Sequence, residues 1–107
     1  MGTNQKDNAI HALGRFSGAT PPLVLVAGTA NWTVARAGAG LVDVTLDANS
    51  LIDPLERVLL CTPKVTSLTA TVVTASDTDA VFRVSISSDA AAATDSACDF
   101  VVYRAEF

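Results

Sequence analysis

The sequence predicts an all-β domain, an antiparallel sandwich or barrel. Three observations lead there. Several stretches alternate apolar and polar residues with a period of two, the mark of a half-buried strand. Turn residues punctuate the chain at intervals of roughly eight to twelve residues, the spacing of short antiparallel strands. No amphipathic stretch is long enough for a useful helix, which excludes a βαβ arrangement. Seven strands are read, and an N-terminal segment makes an eighth.

The central unit is Asn31–Leu46, NWTVARAGAGLVDVTL. Trp32 and Val34 share the inner face of one strand. Val42, Val44 and Leu46 alternate with Leu41, Asp43 and Thr45 on the next. Gly38 and Gly40 lie where the chain reverses, and glycine tolerates positive φ at little cost. The only tryptophan therefore belongs to the core.

Residues 1–20 are read as a separate N-terminal arm, and residues 21–107 as the sandwich domain. Met1–Asn8 is polar. Ile10–Phe16 has apolar residues at mixed spacing, open to a short helix or an extended arm, and Gly14, Gly18 and Thr20-Pro21-Pro22 argue against a long helix. An extended arm is expected, pairing along its own domain or reaching a neighbour. Leu23–Ala27, LVLVA, is a continuous apolar run and is expected to be a strand buried on both faces. Asp47–Asp53 is a loop with turn-forming Asn and Asp, closed by Pro54. Glu56–Thr62 is the next strand, ended by Pro63. Thr66–Ala75 is rich in Thr and Val, as strands are. After a turn at Ser76–Asp79, Ala80–Ser87 alternates most regularly, with Phe82, Val84 and Ile86 inward. Ser88–Ser96 is a loop of small residues whose four alanines are too few for a stable helix. Cys98–Ala105 is the last strand.

Of 107 residues, 50% are hydrophobic and only 17% charged. That is little polar cover for so small a domain, and points to surface hidden against a partner or in an oligomer. The net charge is −4 with seven scattered Lys and Arg residues, so no basic patch is available for nucleic acid. No apolar run approaches the ~20 residues needed to cross a bilayer. The N-terminal stretch lacks the pattern of a signal peptide, so assembly in a cytosol is expected. Cys61 and Cys98 lie in apolar strands and are read as buried free thiols.

Candidate chemistry is sparse. His11 is the only histidine and has no carboxylate or cysteine beside it, so a packing or exposed role is expected. Asp77 and Asp79 form a D-x-D pair, which on a loop can bind a cation but more commonly initiates a turn. Gly38-Ala39-Gly40 precedes a strand rather than a helix, so it is a turn and not a phosphate cradle. No cofactor, metal site or catalytic residue is read, and the chain is expected not to be an enzyme. Trp32, Phe82 and Phe100 fall at inward positions. Tyr103 falls on the face opposite Phe100 and Val102.

Four stretches together resemble a known group. They are Trp32-Thr33-Val34-Ala35-Arg36, the strand Gly40–Leu46, Val58-Leu59-Leu60-Cys61-Thr62-Pro63, and Asp99-Phe100-Val101-Val102-Tyr103. Over about residues 22–105 the chain resembles small β-sandwich proteins of tailed bacteriophages: capsid decoration (cement) proteins and head or tail fibre domains. The resemblance implies a jelly-roll-like sandwich, similar to the complement-head and tumour-necrosis-factor-like fold. It implies a homotrimer on the outer capsid surface of the virion, assembled in the host cytoplasm, with the major capsid protein as partner. The N-terminal arm of such proteins anchors to the shell; here that is Asn4–Gly18, with Ile10, His11, Leu13, Arg15 and Phe16 as expected contacts. Val101, Tyr103 and Phe107 are the expected trimer contacts. A receptor- or glycan-binding fibre tip is the competing expectation. It is weakened because Asp47–Asp53 and Ser88–Ser96 carry no aromatic residue for sugar stacking. A cupin-like enzyme needs several His ligands, which one histidine cannot supply.

Overall fold

The computed structural model describes residues 10–73, 77–88, 90 and 92–104. Its strands are β1 (Ile10–Phe16), β2 (Val24–Val26), β3 (Trp32–Gly38), β4 (Leu41–Leu46), β5 (Arg57–Pro63), β6 (Leu68–Val73), β7 (Val81–Ser88) and β8 (Cys98–Arg104). Two short 3-10 turns, Ala48–Ser50 and Pro54–Glu56, occupy the loop before β5. The strands form two four-stranded antiparallel sheets, ordered β2-β1-β8-β5 and β3-β4-β7-β6. This is the expected sandwich, with eight strands. Likeness to a jelly roll extends to the strand count and the two-sheet split. Three hairpins, β1–β2, β3–β4 and β6–β7, close within single sheets.

The core is built from the inward parity of each strand. Val42, Val44 and Leu46 of β4 and Phe82, Val84 and Ile86 of β7 are buried as their alternation predicts. Facing them are Ala12 and Phe16 of β1 and Cys98, Phe100 and Val102 of β8. Phe100 stands at the middle. Its ring meets Trp32 edge-on at 4.7 Å and Phe82 at 5.6 Å. Such perpendicular contacts favour aromatic quadrupoles beyond the area they bury. The Trp32 indole also donates a hydrogen bond to the Leu13 carbonyl, 3.1 Å away on the opposite sheet.

The segment expected as an arm is extended, and it pairs along its own domain. β1 lies between β2 and β8, so residue 20 falls between two paired strands of one sheet. Residues 1–9 of the expected arm lie outside the described residues. His11 sends Nε2 to within 2.6 Å of the Ser50 carbonyl, and Asn31 donates to the His11 carbonyl and the Ser50 hydroxyl. The lone histidine therefore ties β1 to the loop before β5.

One expectation is corrected. LVLVA is not buried on both faces. β2 is three residues long and forms a sheet edge, and Leu23, Val24 and Leu25 are 60%, 43% and 54% exposed. A continuous apolar run marks a strand buried on both faces only where other layers cover both faces of its sheet, and β2 is a three-residue strand at the edge of a sheet in a two-layer sandwich.

Arg57 reverses the usual rule in the other direction. It begins β5 on the inner face, with its side chain 1% exposed. The guanidinium donates to the carbonyls of Thr78 at 2.8 Å and Val81 at 3.4 Å, and pairs with Asp77 at 3.5 Å. It also sits 5.7 Å from the centre of the Phe82 ring. A buried cation survives only when so many oxygens replace its water. Asp77 thus serves as the counter-charge of a structural arginine.

The turn between β3 and β4 needs one glycine, not two. Gly40 has φ +67°, and an added Cβ would stand 2.5 Å from the Ile86 carbonyl oxygen and 2.8 Å from the Thr94 nitrogen. Gly38 has ordinary φ, and its nearest neighbour would be Leu41 Cδ1 at 3.5 Å, normal contact. Gly40→Ala is therefore expected to lower stability by at least about 1–2 kcal/mol from the left-handed backbone alone. Gly38→Ala is expected to be close to neutral. Thermal melts of the two variants check the difference.

Candidate functional site

The two outer faces of the sandwich differ in chemistry. On the β3-β4-β7-β6 sheet, cross-strand rows read Thr33–Thr45–Val81, Ala35–Asp43–Arg83–Val73 and Leu41–Ser85–Thr71. Asp43 accepts two hydrogen bonds from Arg83, at 2.7 and 3.2 Å. Thr69 and Ser87 hydroxyls lie 3.3 Å apart. This face interleaves Thr, Ser and a paired Asp–Arg with Ala35, Leu41, Val73 and Val81, so no row of it is wholly apolar.

The outer face of the other sheet is apolar across β1, β8 and β5. Register places Ile10, Tyr103 and Val58 in one row. Leu13, Val101 and Leu60 make the next. Arg15, Asp99 and Thr62 make the third. Ile10, Val58, Leu60 and Tyr103 are 48%, 44%, 54% and 36% exposed. Leu13 and Val101 are half-buried, and Leu13 lies against Gly28 of the loop after β2. Isolated exposed apolar residues are ordinary, but adjoining rows of them mark an interaction surface.

Charge on this face gathers at the third row, where two cations share one carboxylate. Asp99 accepts from Arg15 Nε at 2.6 Å and pairs with Lys64 at 3.2 Å. The hydrogen bond from Arg15 holds the Asp99 carboxyl below its ordinary value, with Lys64 assisting against partial burial. A shallow depression of about 210 Å³ lies among Leu13, Gly14, Arg15, Asp99, Phe100 and Val101. That is smaller than the ~300–1,000 Å³ of small-molecule pockets, so the face suits a flat partner better than a ligand.

Residues expected as shell contacts and residues expected as trimer contacts lie side by side on this sheet. Ile10, Leu13 and Arg15 share one face with Val101 and Tyr103. Phe16 is fully buried in the core, so it faces the sandwich itself. His11 is engaged by the Ser50 carbonyl. Phe107 lies outside the described residues. Val58 and Leu60 complete the face and were not singled out from sequence. Their signal was the run Val58–Cys61, apolar at both parities, which requires one apolar set to face outward once the other faces in.

The cysteines sit on the inner side of the same sheet, Cys98 buried and Cys61 packed against the core. Register sets Cys61 opposite Phe100 and Cys98 opposite Pro63 on adjacent strands. Burial pushes the Cys61 thiol up to about 12 and the Cys98 thiol up to about 11. Among the described residues, no group of three or more His, Cys, Asp or Glu side chains is placed to hold a metal ion. No family model, curated protein or solved structure matches the chain.

Two outcomes follow from these environments. Thiolate is the reactive form, so the native protein is expected to react slowly with a disulfide reagent at pH 8 and rapidly after unfolding in guanidinium; absorbance of the released thiol reads this. Asp99→Asn removes a depressed carboxylate, whose stabilisation is present above its ordinary value of 3.8 and lost as pH falls through the lowered one. Melting temperatures of variant and wild type are therefore expected to differ modestly at pH 7 and to converge in acid.

Proposed function

We propose that the protein is a virion structural protein, a capsid decoration or cement protein that stabilises a phage head by binding its outer surface as a trimer. One observation carries the reading: a charge-poor sandwich holds two adjoining rows of apolar and aromatic residues on the outer face of one sheet, where the other sheet interleaves its apolar residues with Thr, Ser and a paired Asp–Arg. A domain that worked alone in water would cover both faces with polar groups. The resemblance in strand pattern to phage decoration proteins supplies the setting. The self-satisfied Thr, Ser and Asp–Arg face suits permanent exposure.

The mechanism is mechanical. A cement protein laid across the junctions of shell subunits adds interface that must break before the shell opens. Its apolar face supplies non-directional attraction proportional to area. Paired charges at the edge of that face keep water and fix register without a large net contribution to affinity.

The test is cosedimentation with empty heads from the phage that encodes the chain, prepared without their decoration. The chain is expected to pellet with the heads in a saturable way and to raise the temperature at which they rupture. A chain that neither associates nor binds heads overturns the reading.

A further inference from the structure

We propose that the loop between β4 and β5, which presents Leu51 and Leu55, docks onto a protein surface that carries cations around an apolar notch. On the decoration reading, which supplies the setting, that surface belongs to the shell. The inference deepens the reading by naming the end of the sandwich that meets the shell and the chemistry it meets there.

The loop does more than connect two strands. Leu55 is 81% exposed and Leu51 51%, and among the described residues no large apolar side chain is more exposed than Leu55. The backbone beneath them is fixed. Asp53 Oδ1 accepts from the Leu55 amide at 2.8 Å, at the start of the turn Pro54–Glu56. Ile52, next to Leu51, is buried, and its amide donates to the Asp79 carbonyl at 3.0 Å. His11 and Asn31 hold Ser50. Arg57 donates to the carbonyls of Ile52 and Thr78. Its Nε is buried with no hydrogen-bond partner, a cost that stability alone does not explain. A connector has no need of so firm a hold. A docking loop gains from it, because little ordering remains to be lost on binding.

Charge selects the occupant. Asp43, Asp77, Asp95 and Asp99 each pair with an arginine. The other described acids are Asp47, Asp53, Glu56 and Asp79, and all four lie in this loop or in the turn before β7 that it meets. Asp47, Asp53 and Asp79 are exposed. Two arginines stand at this end among the described residues, Arg57, which is buried, and Arg104, its partner in register. The balance at the opposite end is reversed among the described residues, with Arg15, Arg36 and Lys64 against Asp95 and Asp99. A cationic surface is therefore drawn to the loop end first. Anionic bilayers and nucleic acid are repelled from it, which leaves a protein. Leucines seated in a notch with acids meeting cations around it give an apolar centre and a polar rim. β5 begins where the loop ends, so the contact continues into the row Ile10–Tyr103–Val58.

Cosedimentation with undecorated empty heads at low and high salt tests the inference. Wild type is expected to bind more weakly as salt rises, because exposed charges are screened. Leu55→Ser is expected to weaken binding about tenfold. Asp47→Asn combined with Glu56→Gln is expected to weaken binding at low salt and to flatten its salt dependence. Ser85→Ala, on the outer face of the other sheet, is expected to bind as wild type does. Thermal melts confirm that each variant folds. Wild-type binding that either loop variant leaves unchanged overturns the inference and leaves the decoration reading standing. Absence of wild-type binding to heads overturns that reading, and beads bearing both alkyl and quaternary ammonium groups then decide the inference. Retention on them that falls further in Leu55→Ser than in Leu60→Ser, on the sheet face, supports docking through the loop end; any other order overturns it.

Discussion

Everything in this sandwich depends on the meeting of Trp32 with Phe100. Trp32 belongs to one sheet and Phe100 to the other, and their rings touch edge-on. Sheets in a sandwich share no backbone hydrogen bonds, so side chains alone hold them at ~10 Å. Trp32 adds a polar tie through its indole to the Leu13 carbonyl. Leu13 in turn lies in the apolar outer face, directly beside Val101. The inner aromatic contact and the outer surface thus meet at β8, which sends Phe100 inward and Val101 outward.

That coupling explains how one short sheet serves two roles. Alternation sends Phe100 and Val102 inward and Val101 and Tyr103 outward along β8. Both parities are apolar because both sides are meant to be covered: one by the second sheet, the other, on our reading, by a neighbouring molecule. In β7 the outward parity is Val81, Arg83, Ser85 and Ser87, three of the four polar, as expected of a sheet with one wet side.

The amphipathic strands were legible because a period of two leaves no alternative. Phe82, Val84 and Ile86, or Val42, Val44 and Leu46, declare their face directly. Runs that are apolar at both parities were ambiguous. LVLVA and VLLC look alike in sequence, yet one lies exposed at a sheet edge and the other shares its residues between core and outer face. Arg57 was illegible for a different reason: a charged residue at a strand start reads as solvent-facing, and its carbonyl partners Ile52, Thr78 and Val81 lie 5 to 24 residues away in sequence. The outer face was half visible. Ile10, Leu13, Val101 and Tyr103 were named for separate roles, and only the pairing of β1 with β8 joins them. No local pattern encodes a contact across nearly ninety residues.

That same pairing governs how the chain acquires its shape. β8 is bonded on both sides, to β1 and to β5. Until residues 98–104 have been synthesised, β1 and β5 both lack the neighbour that separates them in the finished sheet. The β3-β4-β7-β6 sheet, by contrast, can close once β7 has emerged. Its inner face would then wait, with Phe82 and Trp32 unopposed by Phe100. Nascent chains should therefore linger as a half-sandwich, and closing the largest loop in the fold is the last entropic barrier they cross.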